Sequence, residues 1–164
     1  MQVTQERFSN LSILIAGCGS IGRRHGDVLS ALGVGKISAC DPMEAARGAM
    51  ASLHPDFRLF DDYDAALRAD GFDAVFVTSP TAMHLEMIEK ALNAGANVFV
   101  EKPLANTSEG VARIKELAEE KGLAIMVGFC FRYHEVLLKA KKIVESGRIG
   151  RLVNICAHMG EPFA

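Results

Sequence analysis

The sequence predicts an α/β protein built on a doubly wound parallel sheet. Three observations predict it. Short apolar runs alternate with amphipathic helical patterns along the chain. The runs are too continuous for half-exposed strands, which would alternate apolar and polar residues. The connections between them are short, as in strand–helix–strand units.

Composition agrees. A chain of 164 residues buries roughly 70% of its unfolded surface and folds without staples. Hydrophobic residues make up 49% and charged residues 23%, near the globular average, which excludes disorder and collagen-like structure. The net charge of −2, from 18 basic and 20 acidic residues, gives no reason to expect nucleic acid or a membrane surface as partner. No stretch approaches the roughly 20 apolar residues that span a bilayer. The longest candidate, residues 11–18, contains Ser12. Glu6 and Arg7 stand where a signal peptide would need a charged-then-apolar-then-small pattern, and none follows. Cys18, Cys40, Cys130 and Cys156 are far apart, with no C-x-x-C and no His at ligand spacing. A metal site and a disulfide framework are therefore not expected, and a reducing cytoplasm is.

The elements follow in order. Strands are expected at Ser12–Ala16, Lys36–Cys40, 74–78, Asn97–Val100 and 124–129, each bounded by Gly, Pro, Asp or Asn. Residues 57–60 add a short one. Residues 20–32 read as a helix with Ile21, His25, Leu29 and Leu32 near one face. Asp41-Pro42 reads as an N-cap with Pro at the first helical position, opening a helix to Leu53. Residues 80–93 carry Leu85, Ile88 and Leu92 at helical spacing and stop at Gly95. Thr107 or Ser108 opens a helix that buries Val111, Ile114, Leu117 and Ala118 and ends at Gly122. Residues 135–146 form the last helix, and Lys139, Lys141 and Lys142 are its solvated face. Arg151 to Met159, with Leu152, Val153 and Ile155, reads as a strand that begins something the chain does not finish.

Gly17-Cys18-Gly19-Ser20-Ile21-Gly22 lies between the first strand and the first helix. Gly17 suits a tight turn, Gly19 a close approach of backbone to a pyrophosphate, and Gly22 close packing of helix on strand. The helix N-terminus then offers free N–H groups to the anion. Asp41 ends the second strand, about 20 residues beyond the loop, where a carboxylate accepts ribose hydroxyls. The fold class sharpens to a Rossmann-type, dinucleotide-binding domain. Asp41 favours NAD, because it would repel a 2′-phosphate, while Arg47 keeps NADP open. A methyltransferase shares a Gly-rich first loop and an acid after the second strand, but leaves the downstream loops unexplained.

Ligands of open α/β sheets bind at the carboxyl ends of the strands. The loops there carry Thr78-Ser79-Pro80 with His84, Glu101-Lys102-Pro103, and Gly128-Phe129 followed by Arg132-Tyr133. With Arg23-Arg24-His25 after the Gly loop and Ser146-Gly147-Arg148-Ile149-Gly150 near the end, this ordered set resembles the glucose–fructose oxidoreductase/inositol dehydrogenase (Gfo/Idh/MocA) family. The resemblance covers the chain from about Leu11. Each motif alone is unspecific; the set is not.

The resemblance implies roles. Gly17, Gly19, Ser20, Ile21 and Gly22 would bind the cofactor pyrophosphate. Thr78, Ser79, Pro80 and His84 would line the nicotinamide-ribose side, and Glu101 would contact the ribose or nicotinamide region. Lys102 would be the catalytic residue, reaching the substrate hydroxyl or carbonyl across a cis bond to Pro103. A Lys partly withdrawn from water near the cofactor can polarise a hydroxyl or accept its proton. Arg132 joins the cofactor-binding set, with a substrate-side role for it and Tyr133, or an ordinary helix start, as the other readings. His25 reads as a packed, hydrogen-bonded histidine, and His84 either packs its own helix or faces the cofactor. Cys130 stands where Asn is frequent in the family and Glu135 where Pro is, departures that bear on substrate class rather than fold.

Family members carry a second α/β domain that supplies most of the substrate pocket and an Asp and a His for acid–base work. The expected division is therefore 1–125 for the dinucleotide-binding domain. Residues 126–164 would hold its last strand and helix and the first strand of an otherwise missing, truncated substrate domain. The expected function is the cofactor-binding part of an NAD(P)-dependent oxidoreductase acting on a sugar, cyclitol or similar polyol, incomplete for turnover alone. The alternative is a non-catalytic dinucleotide-binding or interaction module. A homodimer is expected through the strand from Arg151 to Met159, whose aliphatics are costly to leave in water.

Overall fold

The computed structural model describes residues 8–158 and 160. Glu6 and Arg7, and Met159 at the end of the expected last strand, lie outside the described residues. The chain divides into two compact units, Met1–Gly128 and Phe129–Ala164.

The first unit holds a six-stranded sheet. Its strands are β1 (Ser12–Ala16), β2 (Lys36–Cys40), β3 (Arg58–Phe60), β4 (Ala74–Val77), β5 (Asn97–Val100) and β6 (Ile125–Val127). Their spatial order is β3-β2-β1-β4-β5-β6, and every pairing is parallel. The order reverses between β1 and β4, the point at which such sheets open a crevice for ligands.

The apolar runs are continuous because both faces of the sheet are buried. Along β1, Ile13 and Ile15 join one core with Ile37, Ala39, Leu29 and Met50. Leu14 and Ala16 point the other way, into a core with Val75, Val77, Val98, Val100, Ile88 and Leu92. The first core is covered by α1 (Ser20–Ala31) and α2 (Glu44–Leu53); the second by α3 (Tyr63–Ala69), α4 (His84–Asn93) and α5 (Val111–Lys121).

Several expectations shift. On α1, Ile21 and Leu32 are exposed, and the buried positions are Gly22, Gly26 and Leu29. Small residues win that face because the helix lies so close to its neighbours. A Cβ on Gly26 would stand 3.0 Å from the His54 ring. Asp41 is not the cap residue of α2; Met43 is, and the helix begins at Glu44. Asp41 Oδ1 instead accepts from the Met43 N–H at 2.9 Å, a local turn that precedes the helix. The 80–93 segment splits into a 3-10 turn, Thr81–Met83, and α4. Helix α5 starts at Val111, not Thr107 or Ser108, because Gly110 sits at φ +80 and breaks helical continuity. It ends at Gly122 in the left-handed region, as expected. Helix α3 is an addition, capped by the Asp62 side chain, which accepts from the Ala65 N–H at 2.7 Å.

The second unit contains a 3-10 turn, Cys130–Tyr133, and α6 (Glu135–Glu145). The strand expected from Arg151 is absent: no strand forms over residues 151–158. Leu152, Val153 and Ile155 are exposed, Val153 by 84%. A strand needs a ladder partner, and among the described residues none pairs with this segment.

Candidate functional site

The loops at the carboxyl ends of β1, β2, β4 and β5 come together around the switch point. The 17–22 loop is stitched into place by backbone. The Gly17 N–H donates to the Cys40 carbonyl at 2.8 Å, and the Thr78 hydroxyl donates to the Gly17 carbonyl at 2.8 Å. Gly17 has φ +115, and a Cβ there would meet the Thr78–Ser79 backbone at 2.9 Å. A Cβ on Gly22 would overlap the Gly17 carbonyl. Both glycines are thus required by the protein itself. Gly19 is different: no protein atom beyond its chain neighbours lies within 4 Å of where its Cβ would stand. The fold gives no steric reason for a glycine at Gly19, whereas an anion seated against the loop would.

Asp41 is braced where it was expected. Its Oδ2 accepts from the Cys18 N–H at 2.8 Å, so the carboxylate is tied to the Gly loop on one side and to Met43 on the other. Each carboxylate oxygen has a second lone pair free to accept. Arg47 donates to the carbonyls of Asp41 and Pro42 at 2.7 and 3.0 Å. Arg23, a residue that spacing arguments passed over, donates from Nη1 to the Cys18 carbonyl at 2.9 Å. Its position, one residue after Gly22 in the first turn of α1, was the available signal.

A cavity of about 480 Å³ opens between these loops, lined by Gly19, Asp41, Tyr63, Thr78, Ser79 and Met83 among others. The Ser79 hydroxyl on its wall is buried and has no hydrogen-bond partner within the protein. Buried hydroxyls are ordinarily paired, and a polar ligand atom would pair this one. The space beside Gly19 and the unpaired Ser79 hydroxyl fit a dinucleotide. Cys40 lines the cavity and Cys18 lies buried in the Gly loop; burial, with Asp41 second, pushes Cys18 from 9.0 up to about 11, and burial, then Cys18, pushes Cys40 up to about 12, which keeps both as thiols near neutral pH.

The other half of the site is held by side chains. His25 Nε2 lies 2.9 Å from Glu101 Oε1, and its ring packs edge-on to Phe76 and Phe99. His25 is packed and hydrogen-bonded, as its spacing predicts, and its partner lies 76 residues away, where no local pattern points. Glu101 Oε2 accepts from the Lys102 N–H at 3.2 Å. The Lys102–Pro103 bond is cis. Lys102 is exposed, so the withdrawal from water expected for it is not supplied by the first unit. His84 is buried, and both ring nitrogens are occupied by backbone carbonyls, those of Ser79 and Pro103. Its ring therefore lies packed between the two loops, the first of the two readings that the sequence offers for it. Thr78 and Pro80 lie on the loop after β4, Ser20 and Ile21 form the first turn of α1, and Arg132 belongs to the second unit, exposed within its 3-10 turn. Among the described residues no group of three or more His, Cys, Asp or Glu is placed to hold a metal ion. No helix among them is long and apolar enough to cross a membrane.

A parallel sheet with this strand order, a Gly loop at β1 and an acid at the end of β2 defines a dinucleotide-binding Rossmann domain. The comparisons narrow the class. Residues 11–129 match the model of the oxidoreductase family with an NAD-binding Rossmann fold, Gfo/Idh/MocA, and the chain belongs to that family. It is 35% identical over 155 residues to the oxidoreductase YrbE of Bacillus subtilis, covering 90% of this chain and 44% of that protein. It is 36% identical over 149 residues to an inositol 2-dehydrogenase/D-chiro-inositol 3-dehydrogenase of Halalkalibacterium halodurans, covering 88% and 43%. The crystal structure of myo-inositol dehydrogenase from Lactobacillus casei, in complex with NAD(H) and myo-inositol, superposes with a TM-score of 0.78 at 32% identity, covering 85% and 42%. The chain thus spans less than half the length of these relatives.

Proposed function

We propose that the chain is the cofactor-binding part of an NAD(P)-dependent oxidoreductase that moves hydride to or from a cyclitol, sugar or similar polyol in the cytoplasm, with NAD preferred over NADP. The observation that carries this is Glu101-Lys102-Pro103 at the carboxyl end of β5, in the same row of loops as the Gly loop. A module that only bound a dinucleotide would have no use for Lys102. The relatives that act on inositol support the cyclitol class.

Gly17, Gly19, Ser20, Ile21 and Gly22 would hold the pyrophosphate, Asp41 the adenosine ribose, and Thr78, Ser79, Pro80 and Glu101 the nicotinamide side. NAD, when bound, supplies the hydride acceptor. Lys102 Nζ would hold the substrate hydroxyl and, as a neutral amine, would take its proton as the carbinol becomes a carbonyl; in the reverse direction the ammonium would return that proton to the carbonyl oxygen. Arg132 would add a cation on the cofactor or substrate side.

The test is turnover by the full-length enzyme with a panel of inositols and sugars, followed by NADH absorbance. NAD-dependent oxidation of a polyol is expected. NAD binding without turnover of any panel member would favour a non-catalytic module. Self-association through residues 151–159 is a further part of the proposal, supported by the exposed Leu152, Val153 and Ile155. Light scattering should give a dimer that becomes a monomer when residues 151–164 are deleted; an intact chain that is monomeric contradicts it.

A further inference from the structure

A single side-chain contact joins α1, the helix that follows the Gly loop, to the turn that carries Lys102. His25 Nε2 lies 2.9 Å from Glu101 Oε1, and the two side chains are only 19% and 21% exposed. The ring is fixed edge-on to Phe76 and Phe99, which stack on each other. The second carboxylate oxygen, Oε2, accepts from the Lys102 N–H at 3.2 Å. Gly128 closes the seat: a Cβ there would stand 3.1 Å from the Phe99 ring and 3.4 Å from the Glu101 carboxyl carbon. We propose that His25 is a positioning residue for Lys102: it holds the Glu101 carboxylate so that one oxygen anchors the Lys102 backbone and neither pairs with the Lys102 side chain. The inference rests on the role proposed for Lys102 above.

The contact asks for no unusual charge. A carboxylate only accepts, so the hydrogen between the two groups lies on Nε2, in the neutral ring as in the charged one. Glu101 and Lys102 are neighbours of opposite charge. Among the described residues, however, the ion-pair partner of Glu101 is His25, and no ion pair joins Glu101 to Lys102. An amine held by its own neighbour would be committed to that carboxylate; one left unpaired is available to a substrate hydroxyl. A histidine that merely filled space would need only the two aromatic contacts, and a phenylalanine would serve in its place.

Two variants separate the hydrogen bond from the packing. His25→Phe keeps an aromatic ring against Phe76 and Phe99 and loses the donor; His25→Gln keeps an N–H donor. In this chain His25→Phe should speed hydrogen exchange of the Lys102 amide about tenfold, and His25→Gln should restore the protection. In the full-length enzyme, assayed with the panel polyol that it oxidises fastest, His25→Phe should lower kcat by about 10–100-fold with little change in the KM for NAD. His25→Gln should recover most of that loss. Unchanged kcat and unchanged Lys102 exchange in His25→Phe overturn the proposal, as do equal losses in the two variants. One measurement needs no variant and holds even if neither folds: 15N-resolved NMR of the unaltered chain should show hydrogen on His25 Nε2, and a bare Nε2 overturns the proposal. Failure of the wider functional reading looks different: the unaltered full-length enzyme would then oxidise no polyol, while the His25 ring and the Lys102 amide would still behave as stated.

Discussion

The two halves of the site are held by different means. Around the Gly loop and Asp41 the geometry is made by backbone: the Gly17 and Cys18 N–H groups, two glycines with no room for a Cβ, and a carboxylate tied across 23 residues. Around Lys102 it is made by two histidines, His25 on Glu101 and His84 on Pro103. The contrast teaches where tolerance lies. A backbone-built half is specified by residue type at fixed spacing and fails by steric overlap. A side-chain-built half is specified by contacts between distant residues and fails by losing position.

The largest effect should come from the second half. Lys102→Ala in the full-length enzyme should lower kcat by about 10²–10⁴-fold, the usual contribution of a general acid–base group. NAD affinity, measured by calorimetry, should stay close to that of the parent, because the cofactor is held mainly by the first half. Near-normal turnover would break the comparison at its root.

A pair of glycine substitutions separates the fold's needs from the ligand's within the first half. Gly22→Ala forces a methyl into the Gly17 carbonyl and should destabilise the chain by about 1–3 kcal/mol in urea denaturation, as overpacking does. Gly19→Ala meets no protein atom. Its thermal midpoint without ligand should match the parent's, while the upward shift on adding NAD should disappear. Equal behaviour of the two variants would mean that the loop has no ligand-facing side.

The smallest effect concerns the thiols. Cys18 and Cys40 are buried, and Cys130 and Cys156 exposed. A disulfide-exchange reagent at pH 8 should modify the exposed pair at once and the buried pair only on unfolding. The folded state keeps Cys18 protonated to about 11 and Cys40 to about 12, and burial raises Tyr63 too. The unfolded chain releases the thiol protons near 9.0. Above that pH the folded state binds more protons than the unfolded one, so stability, full below pH 9.0, declines as pH rises through the folded values. Urea midpoints that stay flat from pH 8 to 11 would contradict this.

Much of the first half could be read from sequence. The Gly loop, the acid ending β2 and the apolar strands are local features, each with its own steric or burial signature. Even there, Asp-Pro before a helix looks the same whether the carboxylate caps the helix or closes a turn on Met43, and here it closes the turn. On α1, periodicity weighs Ile21 and Leu32 above Gly22 and Gly26, whereas close packing buries the two glycines. The second half was legible as residues but not as partners. Nothing local in His25 points to Glu101, and nothing in His84 points to Pro103. The segment after Arg151 has the aliphatics of a strand, but strand formation depends on a neighbouring edge, which a one-dimensional pattern does not contain.

The most direct test of the central claim is a calorimetric titration of NAD and NADP into this chain and its Asp41→Ala variant. The parent should bind NAD more tightly than NADP. Asp41→Ala should weaken NAD by about tenfold, the loss of a hydrogen bond to a charged group, and weaken NADP less, so that the preference shrinks. Tighter binding of NADP by the parent, or a preference untouched by the substitution, would contradict the assignment of Asp41 to the adenosine ribose.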